Sequence, residues 1–420
     1  MIPLTYNTPV AGIVAEYNPL HKGHLHHISA TRQMMPRSPI IVVLSSCFVQ
    51  RGEPSFLDPW SRAEAALEAG ADLVLHLPVA FSCHQAQVFA SAAVDILAAT
   101  GVVTHLSFGM EGHKELLKKA GSILIQEPPS FKMRLRRWLD QGFSFVEARS
   151  RALEEIEPGL GSFLKGSNNI LALAYHMRIA QRKLPIETIS VKRIGAAYNQ
   201  RDFEQIPSAT AVRTLWEAGD RERALRGLPP FSARILERED RRGRVVTTSN
   251  PRWWDLLRWR ILSTPEDQMI SSAEMAEGLE NGLKRAARGA ESYQDLLEST
   301  VSRRYPRSRI QRLCCHLMLS HQHWFNRACQ RLGPSWIGVL ATNDIGKVLL
   351  RRMRSTAELP VLSRFTSPPD GYSRGILALE ERALTLWEIL AGNPKVDSFR
   401  RRRIMMSPSN PLEGSSPEVA

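Results

Sequence analysis

The first half of the chain alternates short apolar runs with amphipathic ones, and few folds satisfy that alternation. AGIVAEYN, PIIVVLSS, DLVLHLPV and VVTHLSFG have the length and β-rich content of strands. HLHHISATRQMM, SRAEAALEAG and QAQVFASAAVDILAAT lie between them, with apolar residues at helical spacing. Strands and helices alternating at this distance predict βαβ units and a mostly parallel sheet. LPIETISVKRIG (184–195) reads as a late strand of that sheet, and PSATAVRTLWEAG (207–219) as the helix after it. Ligands of such sheets bind at the carboxyl ends of the strands, which directs attention to the first strand-to-helix turn.

That turn is EYNPLHKGHLHH (residues 16–27), with four histidines in a short window. A metal site is one reading, but no Cys or acidic cluster accompanies His21 and His24, and Glu16 lies upstream on the strand. A phosphate site uses more of the residues. The helix N-terminus offers unpaired N–H groups, Gly23 admits an anion close to the backbone, and His21 and His24 can aim imidazole donors at the same oxygens. Asn18-Pro19 ends the strand and sets the turn. A plain helix start with surface histidines fits the spacing as well.

From about residue 220 the character changes. PRWWDLLRWRILS, SSAEMAEGLENGLKRAARGA, SYQDLLESTVSRR and SRIQRLCCHLMLSHQ carry helical periodicity, and SWIGVLATNDIGKVLLRRM reads strand, turn, helix. Beyond residue 392 periodicity is lost and Ser and Pro accumulate, which predicts a disordered tail over 393–420. The net charge of +13 favours a polyanionic partner. Five unevenly spaced cysteines do not form a disulfide framework, and no apolar run approaches membrane-spanning length. Both point to a cytoplasmic protein with no membrane attachment.

His21-Lys22-Gly23-His24, after a strand and opening a helix, resembles the HxGH signature of the nucleotidyltransferase superfamily. The longer string GIVAEYNPLHKGHLHHI is similar to one branch, the bacterial tRNA(Met) cytidine acetate ligases. FVQRGEPSFLDPWSRAEAALEAGADLVLHLP, LSFGMEG, SNNILALAY, VKRIGAAYN, IPSATAVR, GLENGLKRAA and RYPRSRIQRL recur in that family's order. The resemblance spans roughly residues 10–390. It implies a Rossmann-like α/β nucleotidyltransferase domain with a parallel sheet over 1–225, followed by a mainly helical tRNA-binding domain over 226–392.

In that family ATP and acetate give acetyl-adenylate and pyrophosphate, and the acetyl group passes to the wobble cytidine of elongator tRNA(Met). The match implies that Val14, Ala15, Glu16, Tyr17, Asn18, Pro19, Leu20, Lys22, Gly23, Leu25, His26 and His27 surround ATP, with His21 and His24 as catalytic donors to the triphosphate. Gly109, Asn168 and Arg193 would contact the nucleotide, and Ser208, Thr210 and Arg213 would form a second phosphate loop. Mg²⁺ is expected with ATP. RRYPRSRIQRL carries five arginines around Tyr305. Arg303, Arg304, Arg307 and Arg309, with Lys284 and Arg285, are the implied tRNA contacts, although a solvated helix face reads the same way.

The chain departs from the family pattern at Lys22, Ser46, Cys47, His76 and Ala172, which bears on acetate or tRNA specificity. Two other functions therefore stay open: adenylation of a small phosphorylated metabolite, and tRNA binding by a catalytically altered paralogue.

Overall fold

The computed structural model describes residues 8–406 apart from 194–207, 277, 303, 367, 369 and 394. The stretch after Arg193, Arg303 itself and residues 407–420 thus lie outside the described residues. Strands β1 (Ala11–Ala15), β2 (Ile40–Ser45), β3 (Leu73–Leu77), β4 (His105–Met110) and β5 (Glu187–Lys192) form a parallel sheet in the order 5-4-1-2-3. β2 and β3 are buried along their whole length, which is why they read as continuous apolar runs rather than alternating ones. The winding reverses between β1 and β4, so a crevice opens at the carboxyl ends of these two neighbours, the place where doubly wound sheets hold ligands.

Two helices follow the first two strands. Lys22–Met34 follows β1 directly. Pro59–Glu68 follows β2 and is started by Asp58, whose carboxylate accepts from the Trp60 and Ser61 amides at 2.9 and 3.0 Å, with Pro59 preset in the first turn. Between β4 and β5 the chain makes a helical excursion that ends in Ser167–Arg182.

The sheet does not stop at residue 225. β6 (Ile337–Thr342) pairs antiparallel with β3, and β7 (Val361–Leu362) and β8 (Met405–Met406) both pair with β6. The sheet therefore runs across the expected boundary at 226. The reason is physical: β3 would otherwise expose an apolar edge, and the buried segment IGVLAT supplies its missing partner. Buried residues of both halves belong to one continuous core. Trp387, on helix Gly371–Leu390, donates its indole N–H to Ser55 O at 2.7 Å across that join.

The tail is likewise ordered further than its composition predicts. Phe399 is fully buried, its ring 4.5 Å from Phe365 and 5.3 Å from Trp60. Arg402 pairs with the buried Glu388 at 3.1 Å and lies over Trp60. An aromatic anchor and scattered ion pairs have no periodicity, so hydrophobic pattern carries no trace of them.

Among the described residues, no helix is long and apolar enough to cross a membrane.

Candidate functional site

The helix after β1 begins with a reciprocal cap made by two histidines. His21 is the N-cap: its Nδ1 accepts from the Gly23 amide at 3.0 Å, while the His21 amide donates to Nδ1 of His24 at 3.3 Å. A Cβ on Gly23 would lie 2.8 Å from the His21 ring, so the glycine lets the imidazole fold back over the turn. The two rings stand 3.8 Å apart, and Tyr17 meets His24 edge-on at 5.0 Å.

These contacts fix the protons. An Nδ1 that accepts leaves the neutral imidazole with its hydrogen on Nε2, so both rings present an Nε2–H donor away from the cap. Burial and then Arg193 push the His21 pKa down to about 4. Burial, His21, Arg193 and His27 hold His24 well below its usual value. At neutral pH the pair acts as fixed dipoles rather than as cations, and the positive charge beside them is that of Arg193.

His27 belongs to the same pocket wall. Thr31 donates its hydroxyl hydrogen to His27 O at 2.8 Å, so at the 2.7 Å contact between Thr31 and Ser107 it is Ser107 that donates. Ser107 therefore accepts from His27 Nε2–H at 3.0 Å, and His27 keeps Nδ1 as an acceptor. Burial followed by Arg193 lowers its pKa to about 4.

Arg193, just past β5, lies across the end of β4. Its Nη1 donates to Asn168 Oδ1 at 3.1 Å, and Glu111 stands 4.0 Å from its Nε. Gly109 permits this, because a Cβ there would come within 3.1 Å of Arg193 Cγ. The structure thus gathers His21, His24, Gly109, Asn168 and Arg193 around the β1–β4 crevice, although they come from four separate stretches of sequence.

The SATAVR segment is differently employed. Ser208 caps helix Ala209–Glu217 by accepting from the Ala211 amide at 3.2 Å, with Thr210 exposed in its first turn. Arg213 is largely buried. Its Nη1 donates to Asn18 O at 2.7 Å, and its Nη2 lies 3.5 Å from Glu53. It braces the turn that carries the histidines.

The expected RNA contacts also divide. Lys284 is buried, its Nζ 3.0 Å from Glu266, because it falls on the inward face of helix Leu279–Gly289. Arg285 and Arg288 are exposed on the same helix. Arg304 and Arg309 flank Tyr305 at 5.4 and 5.1 Å from its ring centre, and Arg307 donates to Gln294 at 2.6 Å. Arg303 lies outside the described residues.

Three residues hold the site together without having been singled out within their motifs. Arg62 is fully buried and donates to Glu16 O (2.6 Å), Ser45 O (3.0 Å), Ser46 O (2.6 Å) and Leu57 O (3.0 Å), tying the carboxyl ends of β1 and β2 together. Asn169 accepts from the Glu111 and Gly112 amides at 3.0 and 3.2 Å, which shapes the loop under Arg193. Glu111 completes that loop. The NN pair in SNNIL was the available signal for Asn169.

The departures from the family pattern converge elsewhere. Ser46 Oγ donates to Glu380 Oε2 at 2.6 Å, His76 Nε2 lies 3.2 Å from the same oxygen, and the Val79 amide donates to Oε1. Burial and then Glu380 push the Cys47 thiol well up. Ser46, Cys47 and His76 therefore form one buried polar cluster around Glu380, and Ala172 is buried in a helix.

Residues 8–401 match the HIGH Nucleotidyl Transferase family. The chain is 34% identical over 399 residues to the tRNA(Met) cytidine acetate ligase of Syntrophomonas wolfei, covering 92% of this chain and 95% of that protein. It is 35% identical over 360 residues to the protein of that name from Caldanaerobacter subterraneus, covering 84% and 88%. Its fold is similar to the crystal structure of Thermotoga maritima TmcAL bound with alpha-thio ATP, with a TM-score of 0.87, 31% identity, and coverage of 95% of this chain and all of that one.

Proposed function

The chain belongs to the tRNA(Met) cytidine acetate ligases of the HIGH nucleotidyl transferase family, and on that premise we propose that it joins acetate to the wobble cytidine of elongator tRNA(Met) at the expense of ATP. It is an ATP-using ligase of the nucleotidyltransferase type. The finer chemistry is our reading. A carboxylate oxygen of acetate attacks the α-phosphorus, the bond from that phosphorus to the bridging oxygen breaks, and pyrophosphate departs. The exocyclic amine of cytidine then attacks the acyl carbon, AMP leaves with the former carboxylate oxygen, and the amine proton passes to solvent. Acetate alone is inert to an aryl amine, which makes the activation step necessary.

The observation that carries this reading is the pair of neutral, preoriented Nε2–H donors at a helix N-terminus beside the β1–β4 crevice. Donors already fixed need no reorganisation as charge builds on departing pyrophosphate, and one such donor is worth about 3 kcal/mol. Gly109, Asn168 and Arg193 would hold the nucleotide beside them. ATP would enter as its Mg²⁺ complex. Glu16 already accepts from the Gln50 amide, and Glu53 is engaged by Gln311 and Arg213. The ion would be held mainly by phosphate oxygens and water. Arg304, Arg307 and Arg309 beside Tyr305, with Arg285 on another helix, suit an RNA backbone and an unstacked base. The reaction would take place in the cytoplasm.

The test is pyrophosphate exchange into ATP. Exchange that requires acetate and proceeds without tRNA is expected. Exchange driven by a phosphorylated metabolite and indifferent to acetate would refute the proposal.

A further inference from the structure

Residues 48–54 follow β2 and close on themselves, Phe48 pairing with Pro54 in an antiparallel bridge. Inside the loop the Val49 amide donates to Glu53 O at 3.0 Å, and the Gly52 amide donates to Val49 O at 2.8 Å. Outside it, each flank is tied to a different part of the molecule. The Gln50 amide donates to Glu16 Oε1 beyond β1 at 2.8 Å. Glu53 accepts from Gln311 of helix Arg307–Met318 at 3.0 Å and pairs with Arg213, which itself holds the Asn18 carbonyl. Gly52, at φ +83°, approaches that same helix so closely that a Cβ would lie 2.6 Å from the Arg312 backbone. The loop is a bracket between the histidine turn and the arginine-rich helix.

Arg51 alone among residues 48–54 is exposed. Its backbone is immobilised on both sides, so its cation is held near one place at the carboxyl end of β2. Its neighbour Gly52 touches the helix whose first turn carries Arg307 and Arg309, with Arg304 and Tyr305 just ahead of it. A small carboxylate is held well by arginine only where both are dry and paired through two hydrogen bonds. A solvated arginine gains most against a polyanion, through release of condensed counterions.

We infer that Arg51 is an RNA contact, its guanidinium taking a tRNA backbone phosphate beside the nucleotide to be modified. It extends the cationic surface around Tyr305 up to the histidine turn, so the RNA backbone crosses at the bracket and its base is delivered to the crevice. This rests on the proposed function, since it presumes a tRNA substrate.

The experiment uses the full chain, Arg51→Ala and Arg51→Lys. Binding of an elongator tRNA(Met) transcript is measured across a salt series, and acetate-dependent pyrophosphate exchange is measured without tRNA. The expected result is weaker tRNA binding by Arg51→Ala, with a slope of log affinity against log salt smaller by about 1 and restored by Arg51→Lys. An unchanged affinity and slope in Arg51→Ala would overturn the inference. So would lost exchange with undiminished tRNA binding, which would make Arg51 a contact to acetate or nucleotide. Absence of acetate-dependent exchange in the parent chain would refute the proposed function instead, and the salt series would still decide whether Arg51 meets RNA.

Discussion

The two nitrogens of His21 do different work, and a substitution can separate them. Nδ1 caps the helix by accepting from Gly23, while Nε2–H is left for the ligand. Asparagine places an oxygen where Nδ1 stands and nothing where Nε2 stands. His21→Asn is therefore expected to melt within about 0.5 kcal/mol of the parent, since Asn is a good N-cap, and to lose about 100-fold or more in acetate-dependent exchange. His21→Ala should lose both the exchange and about 1 kcal/mol of stability. Thermal melts and exchange rates on the two variants check this; equal exchange in His21→Asn and the parent would show that Nε2 donates to nothing in the reaction. His24→Ala is expected to abolish exchange and to spare tRNA binding, measured by the same exchange assay and by tRNA titration. These histidines were legible in sequence because their motif is local. Arg62, Glu111 and Asn169 were not, because each acts through hydrogen bonds to segments that are remote in sequence or are themselves loops. Arg213 was legible as a site residue, but its partner was not: the Asn18 carbonyl lies 195 residues away.

Among elements, the strands and helices of the first half were readable because each has a clean period, and the strand–turn–helix at 337–356 was readable for the same reason. What the period could not show is that β6 joins the sheet against β3, since pairing depends on which edge is left open. Residues 48–54 were visible only as FVQRGEP, the start of a longer family string. Their geometry yields a sharp expectation for Gly52→Ala, which must hold a Cβ at φ +83° against the Arg312 backbone. The strained dihedral alone costs about 1–2 kcal/mol, and the clash adds to it, so denaturant unfolding should show at least that loss. A Gly52→Ala variant as stable as the parent would mean that loop and helix do not touch. At the far edge, Phe399→Ala empties a fully buried site beside Phe365 and Trp60 and is expected to cost about 3–5 kcal/mol. An unchanged melting temperature would place the tail outside the core.

For the whole molecule, seven buried or half-buried histidines among the described residues share one direction of shift. Burial is the first cause for His21, His24, His27, His84, His176, His316 and His321, and it lowers every one. The unfolded chain takes up protons near pH 6.5, before the folded one does, so stability is present above that pH and falls as pH drops toward the folded values. For His21, with a folded value of about 4, moving from pH 7 to pH 5 costs about 2 kcal/mol. The melting temperature should therefore fall clearly over that interval, and a flat profile would contradict the neutral, buried state assigned to these rings. A bound triphosphate would oppose the shift at His21 and His24 by favouring their charged forms.

On the proposed function, the histidine turn activates acetate for transfer to tRNA. The direct measurement is incubation of the chain with ATP, labelled acetate and an elongator tRNA(Met) transcript, followed by mass spectrometry of the nucleosides. Label is expected in N4-acetylcytidine at the wobble position, dependent on ATP and absent with His24→Ala. Label incorporated from acetyl-CoA but not from acetate and ATP would contradict it.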